Sequence, residues 1–400
     1  MPSWNFFTAD QLTFGHGAVA RLAGQVASRG WQRALLVTDA NLQEAGLVET
    51  VARPLLEAGC QLEVFDGGEA EPSIETASMA IERAAGCQPD VIVGLGGGSN
   101  MDLSKITAVI LAHGGHPRDY LGDCVVPGPV FPLACVPTTA GTGSEVTAAS
   151  VLSDPEAGIK VAVLSDFLRP RLAVVDPLMT LSCPAHVTAD SGIDALTHAI
   201  EAFTAVDNED FPLPEGERSI YQGRFVLTDL TAGKAIELVG QYLRRAVSDG
   251  QDVEARQGMA LAATLAGLGF SNSGVAAVHA LEYPLGSAVK TSHGRGNGLL
   301  LPYVMDFNRQ ADPDTFAMVA SLLDEEIEDL SADEAAAASV AAVRQLNADI
   351  GIPERLREVN VTEDQLAGFA EIASGLVRIL RVNTRKASRD DLEAILQAAW

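Results

Sequence analysis

Short apolar runs alternate with helical segments through residues 1–183. The predicted strands are 34–38, 62–65, 91–95 and 132–136. Between them, helices are predicted over 48–58, over 74–85 with Ser73 as its N-cap, and from about Asn100 onward. This alternation is typical of a mostly parallel sheet with helices on both faces. We therefore predict an α/β domain over residues 1–183.

The character of the sequence changes near Cys183 and Pro184. From there onward Ala, Leu and Glu dominate, and runs of β-branched residues disappear. Helical periodicity covers 232–245, 254–267, 335–350 and 389–400. A loop rich in Pro, Glu and Asp at 207–217 is either a surface excursion or a wall beside a site. Since 400 residues exceed one compact core, we predict a second, all-α domain over 184–400.

The overall charge limits the kinds of partner. With 53 acidic and 27 basic residues, the net charge is −26, which disfavours nucleic acid and anionic membranes as partners. The segment from Trp4 to Gly17 is expected to form strands and turns rather than a secretion signal, and no apolar stretch reaches about 18 residues. Five cysteines without a C-x-x-C pair argue against a disulfide framework and suit the cytoplasm.

A glycine loop follows the strand predicted at 91–95. The run Gly96, Gly97, Gly98 and Ser99 opens a helix, and Asp102 and Lys105 lie on its first turns. Backbone N–H groups in such a loop can surround a pyrophosphate, and the helix N-terminus adds partial positive charge. A tight structural turn is the alternative, because the spacing fits neither G-x-G-x-x-G nor a Walker loop.

A second polar loop follows the strand predicted at 132–136. Its hydroxyl side chains are Thr138, Thr139, Thr142 and Ser144. Two such loops at the carboxyl ends of parallel strands lie where a doubly wound sheet binds ligands. Simple helix capping is the other interpretation. Asp39, at the end of an earlier strand, either caps a helix or accepts a hydrogen bond from an adenosine ribose, which would favour NAD over NADP.

Asp194 and His198 lie four residues apart in a helical segment, so both side chains point to one face. His279 lies in a helix-like segment, and His293 lies in what reads as a tight glycine turn. One carboxylate and three imidazoles suit Fe²⁺ and also Zn²⁺, Co²⁺ or Ni²⁺. Spacing alone leaves open that these histidines are structural. His113 and His116 are expected in a surface loop.

Several of these segments together resemble the iron-containing alcohol dehydrogenases. They are the run 96–99 with Asp102 and Lys105, the loop 137–147, the run 192–201, and His279 with the run 292–294. The resemblance covers essentially the whole chain. It implies an N-terminal dinucleotide-binding domain, a C-terminal helical domain, a metal in the cleft between them, and hydride exchange between a primary alcohol or hydroxyacid and NAD(P).

The resemblance also assigns residues. Asp194, His198, His279 and His293 would bind the metal, Fe²⁺ or alternatively Zn²⁺. The dinucleotide, NAD rather than NADP, would contact Asp39, Gly96, Gly97, Gly98, Ser99, Asp102, Thr138, Thr139, Thr142 and Lys160. The expected partners are a small alcohol, aldehyde or hydroxyacid and further copies of the chain, as a homodimer or larger homo-oligomer.

One position departs from the family pattern. Many members have a second histidine four residues after the third ligand, where this chain has Tyr283. Tyr283 is therefore a candidate catalytic residue through which protons could leave. The segment around it is similar to the hydroxyacid–oxoacid transhydrogenase branch, with a 4-hydroxybutyrate-type donor and 2-oxoglutarate as acceptor. A metal-dependent sugar-phosphate lyase or cyclase is a further alternative, although such an enzyme would need more Lys and Arg.

Overall fold

The computed structural model describes residues 3–154 and 159–400, which group into two compact units. One comprises Phe7–Thr139 and Gly143–Cys183. The other comprises the segment ending at Phe6, Ala140–Thr142 and Pro184–Trp400. The sequence change at Pro184 coincides with a junction between these units. The two short earlier segments are grouped with the helical unit although they precede it in the chain.

The first unit is built on a parallel sheet. Its strands are β1 Gln11–Phe14, β2 Arg33–Val37, β3 Gln61–Phe65, β4 Val91–Gly96, β5 Gly122–Asp123, β6 Leu133–Pro137, β7 Ala149–Asp154, β8 Ile159–Leu164 and β9 Leu172–Val175. Its helices are α1 Ala18–Ser28, α2 Ala40–Glu44, α3 Leu47–Glu57, α4 Ile74–Cys87 and α5 Gly98–His113. Six strands pair in parallel in the order β1-β9-β6-β4-β2-β3. The predicted α/β class is confirmed.

Alternate residues of the central strands enter two separate cores. Leu36 and Val93 pack with α1 and α3, whereas Leu35 and Ile92 pack with α4 and α5. Successive strand side chains point to opposite faces, so a strand covered on both faces is apolar throughout. The continuous apolar runs of β2 and β4 could therefore be predicted as strands from the sequence.

In this half the N-terminal prediction is confirmed only in part, and one sheet was not predicted. Trp4 to Phe7 have no regular secondary structure, and the first strand is β1 at Gln11–Phe14. A second, three-stranded sheet in the order β5-β8-β7, with β7 and β8 antiparallel, was not predicted. In β7 the buried positions alternate with partly exposed ones, and its Ser and Ala residues give only a weak apolar pattern.

The second unit is helical, as predicted, and none of its described residues belongs to a β-sheet strand. Its helices are α6 Ala185–Phe203, α7 Val226–Ser248, α8 Val253–Ser273, α9 Ala277–Val289, α10 His293–Asn308, α11 Pro313–Leu322, α12 Ala332–Ile350, α13 Leu366–Ser374, α14 Val377–Leu380 and α15 Arg389–Ala399. Close helix packing explains some of its glycines. A Cβ on Gly258 would lie 2.1 Å from Cδ2 of Tyr242.

No single helix in the described part of the chain has the length and hydropathy of a membrane span. Among the described helices, α8 and α9 pass that test when taken together, and they are bent by 105° relative to each other.

A buried lysine holds the helix of the glycine loop. The ammonium of Lys105, fully buried on α5, donates to Ser144 Oγ (2.8 Å), Thr147 Oγ1 (3.0 Å) and the Ala149 carbonyl (2.8 Å). Burial lowers the pKa of Lys105, and the charge of Asp102, 3.8 Å away, opposes that change. The lysine thus ties α5 to the segment that follows the second polar loop.

A half-buried acid lies near the start of α7. Asp229 Oδ1 has no hydrogen-bond partner among the described residues. Burial raises the pKa of Asp229 to about 6, Arg224 opposes the rise, and Asp207 adds to it. The folded unit therefore favours the protonated carboxyl.

Replacing Lys105 with Met should destabilise the protein by about 3 kcal/mol, because Asp102 and three oxygen acceptors lose their buried cation. The free energy of unfolding in denaturant measures this loss. Lys234→Met removes an exposed lysine paired with Glu237 and should cost less than about 0.5 kcal/mol. Equal losses of stability in the two variants would show that the buried contacts of Lys105 do not stabilise the protein.

Replacing Asp229 with Asn should stabilise the protein at pH 8 but not at pH 4. A carboxyl whose pKa is raised on folding contributes stability below its unfolded pKa of 3.8, and that contribution disappears as the pH passes about 6. We expect a gain of roughly 3 °C in the unfolding midpoint at pH 8. Asp333→Asn, an exposed first-turn acid of α12, is the control. The same gain at both pH values would contradict this explanation.

Candidate functional site

Helix α6 carries Asp194 and His198 on one face, as their spacing predicts. Both side chains are buried, and His198 Nδ1 lies 3.8 Å from Asp194 Oδ2. His198 Nδ1 itself has no hydrogen-bond partner among the described residues. A buried ring nitrogen without a partner is unfavourable unless a ligand or ion completes its contacts.

Glu201, one turn after His198, places the third candidate ligand. Its buried carboxylate accepts hydrogen bonds from the backbone of Ala276 (2.8 Å) and Val278 (2.7 Å), where α9 begins. It also accepts from Nδ1 of His279 at 2.6 Å. One side chain therefore satisfies the start of α9 and fixes the orientation of the imidazole.

His293 is the first residue of α10, and the predicted glycine turn is wrong. The glycines that follow allow close helix packing instead. A Cβ on Gly294 would lie 2.0 Å from the Asp190 carbonyl, and one on Gly298 would lie 2.7 Å from Ile193 Cγ2. Helix α10 can therefore lie against α6 at a distance that side chains would prevent.

Glu282 orients the imidazole of His293, as Glu201 orients that of His279. It is completely buried on α9, and its Oε2 lies 2.5 Å from Nδ1 of His293. Each imidazole thus donates its Nδ1–H to a carboxylate. This leaves the Nε2 lone pair of each ring free to accept or to coordinate a metal.

Four candidate ligands come together in this unit. One potential ligand atom from each of Asp194, His198 and His279 lies within 4.8 Å of the others. His293 Nε2 lies 3.9 Å from Asp194 Oδ1. The structure brings together the residues that the sequence proposed as ligands, although their role as ligands stays a prediction.

The lone pairs in this cluster outnumber the protons available to them. Asn297 Nδ2 lies 2.8 Å from Asp194 Oδ1, 3.2 Å from His279 Nε2 and 3.1 Å from His293 Nε2. An amide nitrogen has only two hydrogens for these three acceptors. With His198 Nδ1 also unpartnered, the donor set fits a divalent cation.

The ionisation states also suit a metal. Burial opposes the charged form of Asp194, yet the three imidazoles and Asn297 hold its pKa below the ordinary value. Burial lowers the pKa of His198 to about 3. At neutral pH the carboxylate is ionised and this imidazole is neutral, which are the forms that coordinate metals.

Two aromatic side chains lie beside the cluster. The ring of Phe270 stacks on His198 with centroids 4.1 Å apart. The ring of Tyr283 lies 6.2 Å from that of His293, and burial raises the pKa of Tyr283. Tyr283 therefore keeps its proton near neutral pH.

The two polar loops lie side by side in the α/β unit. Gly96 pairs with Pro137 in the sheet, and the N–H of Thr138 donates to the Gly96 carbonyl at 3.0 Å. A Cβ on Gly97 would lie 3.4 Å from Thr139 Oγ1. The start of α5 has no side-chain cap, so its N–H groups are not occupied by one. Both loops therefore follow the carboxyl ends of paired parallel strands, as the sequence predicts.

Other predicted cofactor residues also contact protein groups. Ser99 Oγ donates to the Ala70 carbonyl at 2.5 Å, and Asp102 accepts from Ser144 Oγ at 2.8 Å. Lys160 Nζ lies 3.1 Å from a carboxylate oxygen of Glu71. Thr142 is grouped with the helical unit, and Gly98 is the first residue of α5. Contacts of these residues with a dinucleotide stay predictions.

Asp39 is a helix cap, one of the two roles considered for it. Its Oδ1 accepts from the N–H groups of Asn41 and Leu42 at the start of α2. Its Oδ2 accepts from Asn100 Nδ2 at 2.7 Å. The ribose contact stays a prediction.

Sequence reasoning gave no role to Glu201, Glu282 or Asn297. A spacing rule could have found them. Glu201 follows His198 by three residues, Glu282 follows His279 by three, and Asn297 follows His293 by four. Each therefore shares a helix face with a candidate ligand.

Comparison with known proteins agrees with this geometry. Residues 9–177 match the profile described as iron-containing alcohol dehydrogenase, and residues 220–400 match the C-terminal profile of the Fe-containing alcohol dehydrogenase family. The chain belongs to the iron-containing alcohol dehydrogenase family. The predicted family and enzyme class, an oxidoreductase interconverting alcohols and aldehydes, are confirmed.

Similar proteins align over nearly the whole chain. The NAD-dependent methanol dehydrogenase of Bacillus methanolicus is 34% identical over 99% of this chain and 99% of its own. Long-chain-alcohol dehydrogenase 1 of Geobacillus thermodenitrificans is 38% identical over 96% of this chain and 94% of its own. A crystal structure of 1,3-propanediol oxidoreductase has a TM-score of 0.93 with 34% identity, covering 100% of both chains. These relatives do not favour the transhydrogenase or the lyase and cyclase alternatives.

Replacing Glu201 with Gln should weaken metal binding about 10- to 100-fold, because an amide cannot orient His279 as the carboxylate does. Competition with a chelator at known free metal concentration measures this change. Glu237→Gln, an exposed acid on α7, should leave the affinity unchanged. An unaltered affinity in a folded Glu201→Gln protein would show that this carboxylate does not support a metal ligand.

Proposed function

We propose that this chain oxidises primary alcohols to aldehydes, and reduces aldehydes, with NAD and a divalent metal held by Asp194, His198, His279 and His293. One observation carries the proposal: four donor groups, three of them buried and His293 half-buried, converge with more lone pairs than protons. Family membership gives the reaction type, and the donor set says where in this chain the metal would bind.

The donor set and the family together favour iron. Three ring nitrogens and one carboxylate accept Fe²⁺ and also accept Zn²⁺, so ligand chemistry alone permits both. Membership in the iron-containing family favours Fe²⁺. When bound, such an ion supplies Lewis acidity that lowers the pKa of the substrate hydroxyl.

NAD is the proposed dinucleotide. The uncapped start of α5 offers N–H groups to a pyrophosphate, and the loop after β6 adds Thr138 and Thr139 beside it. A relative is named as an NAD-dependent methanol dehydrogenase. The Asp39 carboxylate would repel the 2′-phosphate of NADP. When bound, NAD accepts the hydride from the carbinol carbon.

The side chains have distinct tasks in this proposal. His198 keeps its lone pair because burial disfavours protonation, and Phe270 covers one face of its ring against water. Tyr283 keeps a proton at Oη, so it can donate that proton during aldehyde reduction and be reprotonated by water. During alcohol oxidation Oη can relay the hydroxyl proton, accepting it as its own proton leaves to water. Each alcohol gives up one hydride and one proton.

The proposed partners are a small alcohol or aldehyde and other copies of this chain. A relative is named for methanol and another for long-chain alcohols, which supports an alcohol substrate without fixing its length. A homodimer or larger homo-oligomer in the cytoplasm is proposed on the family resemblance.

Replacing His198 with Ala should abolish metal retention and alcohol oxidation while leaving NAD binding within about twofold of the unaltered protein, because His198 belongs to the helical unit. Elemental analysis, the absorbance of NADH and titration calorimetry with NAD measure the three properties. His116→Ala, an exposed histidine, should change none of them. Full activity of His198→Ala after chelation would refute the metal assignment.

A further inference from the structure

Arg378 belongs to the same helical unit as the candidate metal ligands and has no role in the site described above. It is on the short helix α14, which packs against α9, the helix that carries His279 and Tyr283. Its guanidinium carbon lies 5.4 Å from the centre of the Tyr221 ring. Tyr221 is itself buried, so one face of the guanidinium lies against a buried aromatic ring.

Arg378 has no anionic partner among the described residues. Its Nη1 is buried and makes no hydrogen bond there. Two neighbouring arginines do have partners: Arg381 pairs with Glu217 at 2.6 Å, and Arg385 donates a hydrogen bond to the Phe307 carbonyl. With 53 acidic and 27 basic residues, the chain has no shortage of carboxylates. An unpaired cationic group that is partly removed from water is unfavourable unless an external anion binds it.

Tyr283 connects this guanidinium to the metal cluster. It follows His279 by one helical turn, and its ring lies 6.2 Å from the His293 ring. The charge of Arg378 acts on Tyr283, opposing the rise in pKa that burial causes. Arg378 therefore lies on the Tyr283 side of the cluster.

We propose that Arg378 determines specificity by binding the carboxylate of a substrate whose hydroxyl lies at the metal ligands. The planar guanidinium can bind both carboxylate oxygens, which Lys cannot do in the same way. The preferred substrates are therefore short hydroxy acids with the hydroxyl at the end opposite the carboxylate, oxidised with NAD. This inference rests on the proposed alcohol dehydrogenase function.

The experiment compares 4-hydroxybutanoate with 1-butanol, which has the same carbon chain and no charge. In the metal-loaded enzyme, Arg378→Gln should raise KM for 4-hydroxybutanoate at least tenfold with kcat little changed, and should alter kcat/KM for 1-butanol less than about twofold. Arg378→Lys should restore part of the lost affinity for 4-hydroxybutanoate, because it keeps the positive charge but cannot bind both carboxylate oxygens as a guanidinium does. Arg381→Gln, on the same segment, should behave like the unaltered enzyme.

Binding of butanoate, measured by calorimetry without NAD, separates this inference from the reaction itself. The unaltered protein should bind butanoate, and Arg378→Gln should bind it at least tenfold more weakly. If neither alcohol is oxidised, the proposed function fails, and butanoate binding still decides the role of Arg378. Equal losses for both alcohols, or unchanged butanoate binding, would overturn the inference.

Discussion

The contact between Glu201 and His279 is the one on which the candidate site most depends. Glu201 accepts two backbone N–H groups where α9 begins, and α9 has no side-chain cap of its own at its N-cap residue. The same carboxylate fixes which nitrogen of His279 carries the proton. Because Glu201 shares α6 with Asp194 and His198, one helix sets the positions of three of the four candidate ligands.

Close helix packing then places the fourth ligand. Gly294 and Gly298 lie where any Cβ would overlap α6, so α10 approaches closely enough to bring His293 Nε2 within 3.9 Å of Asp194 Oδ1. Side chains at these glycines would force the helices apart. The glycines therefore act on the site through backbone distance, and the position of His293 depends on residues that supply no metal-binding side chain.

The sequence was informative where a periodic pattern had one structural meaning. Strands buried on both faces, such as β4, and the Asp194–His198 spacing were predicted because their patterns have few alternatives. The glycines after His293 were misread, since glycine serves a positive φ and a close approach equally well. Glu201 was missed because acidic residues are mostly exposed, and only the packed structure shows that this one is buried.

The first residues of the chain have their contacts far along it. Trp4 stacks on Phe225 with ring centres 4.6 Å apart, and Asn5 exchanges hydrogen bonds with Gln222, 217 residues later. At ordinary rates of translation, that separation takes roughly 10–40 s to synthesise. Trp4 therefore waits through that interval until its aromatic partner Phe225 has been synthesised.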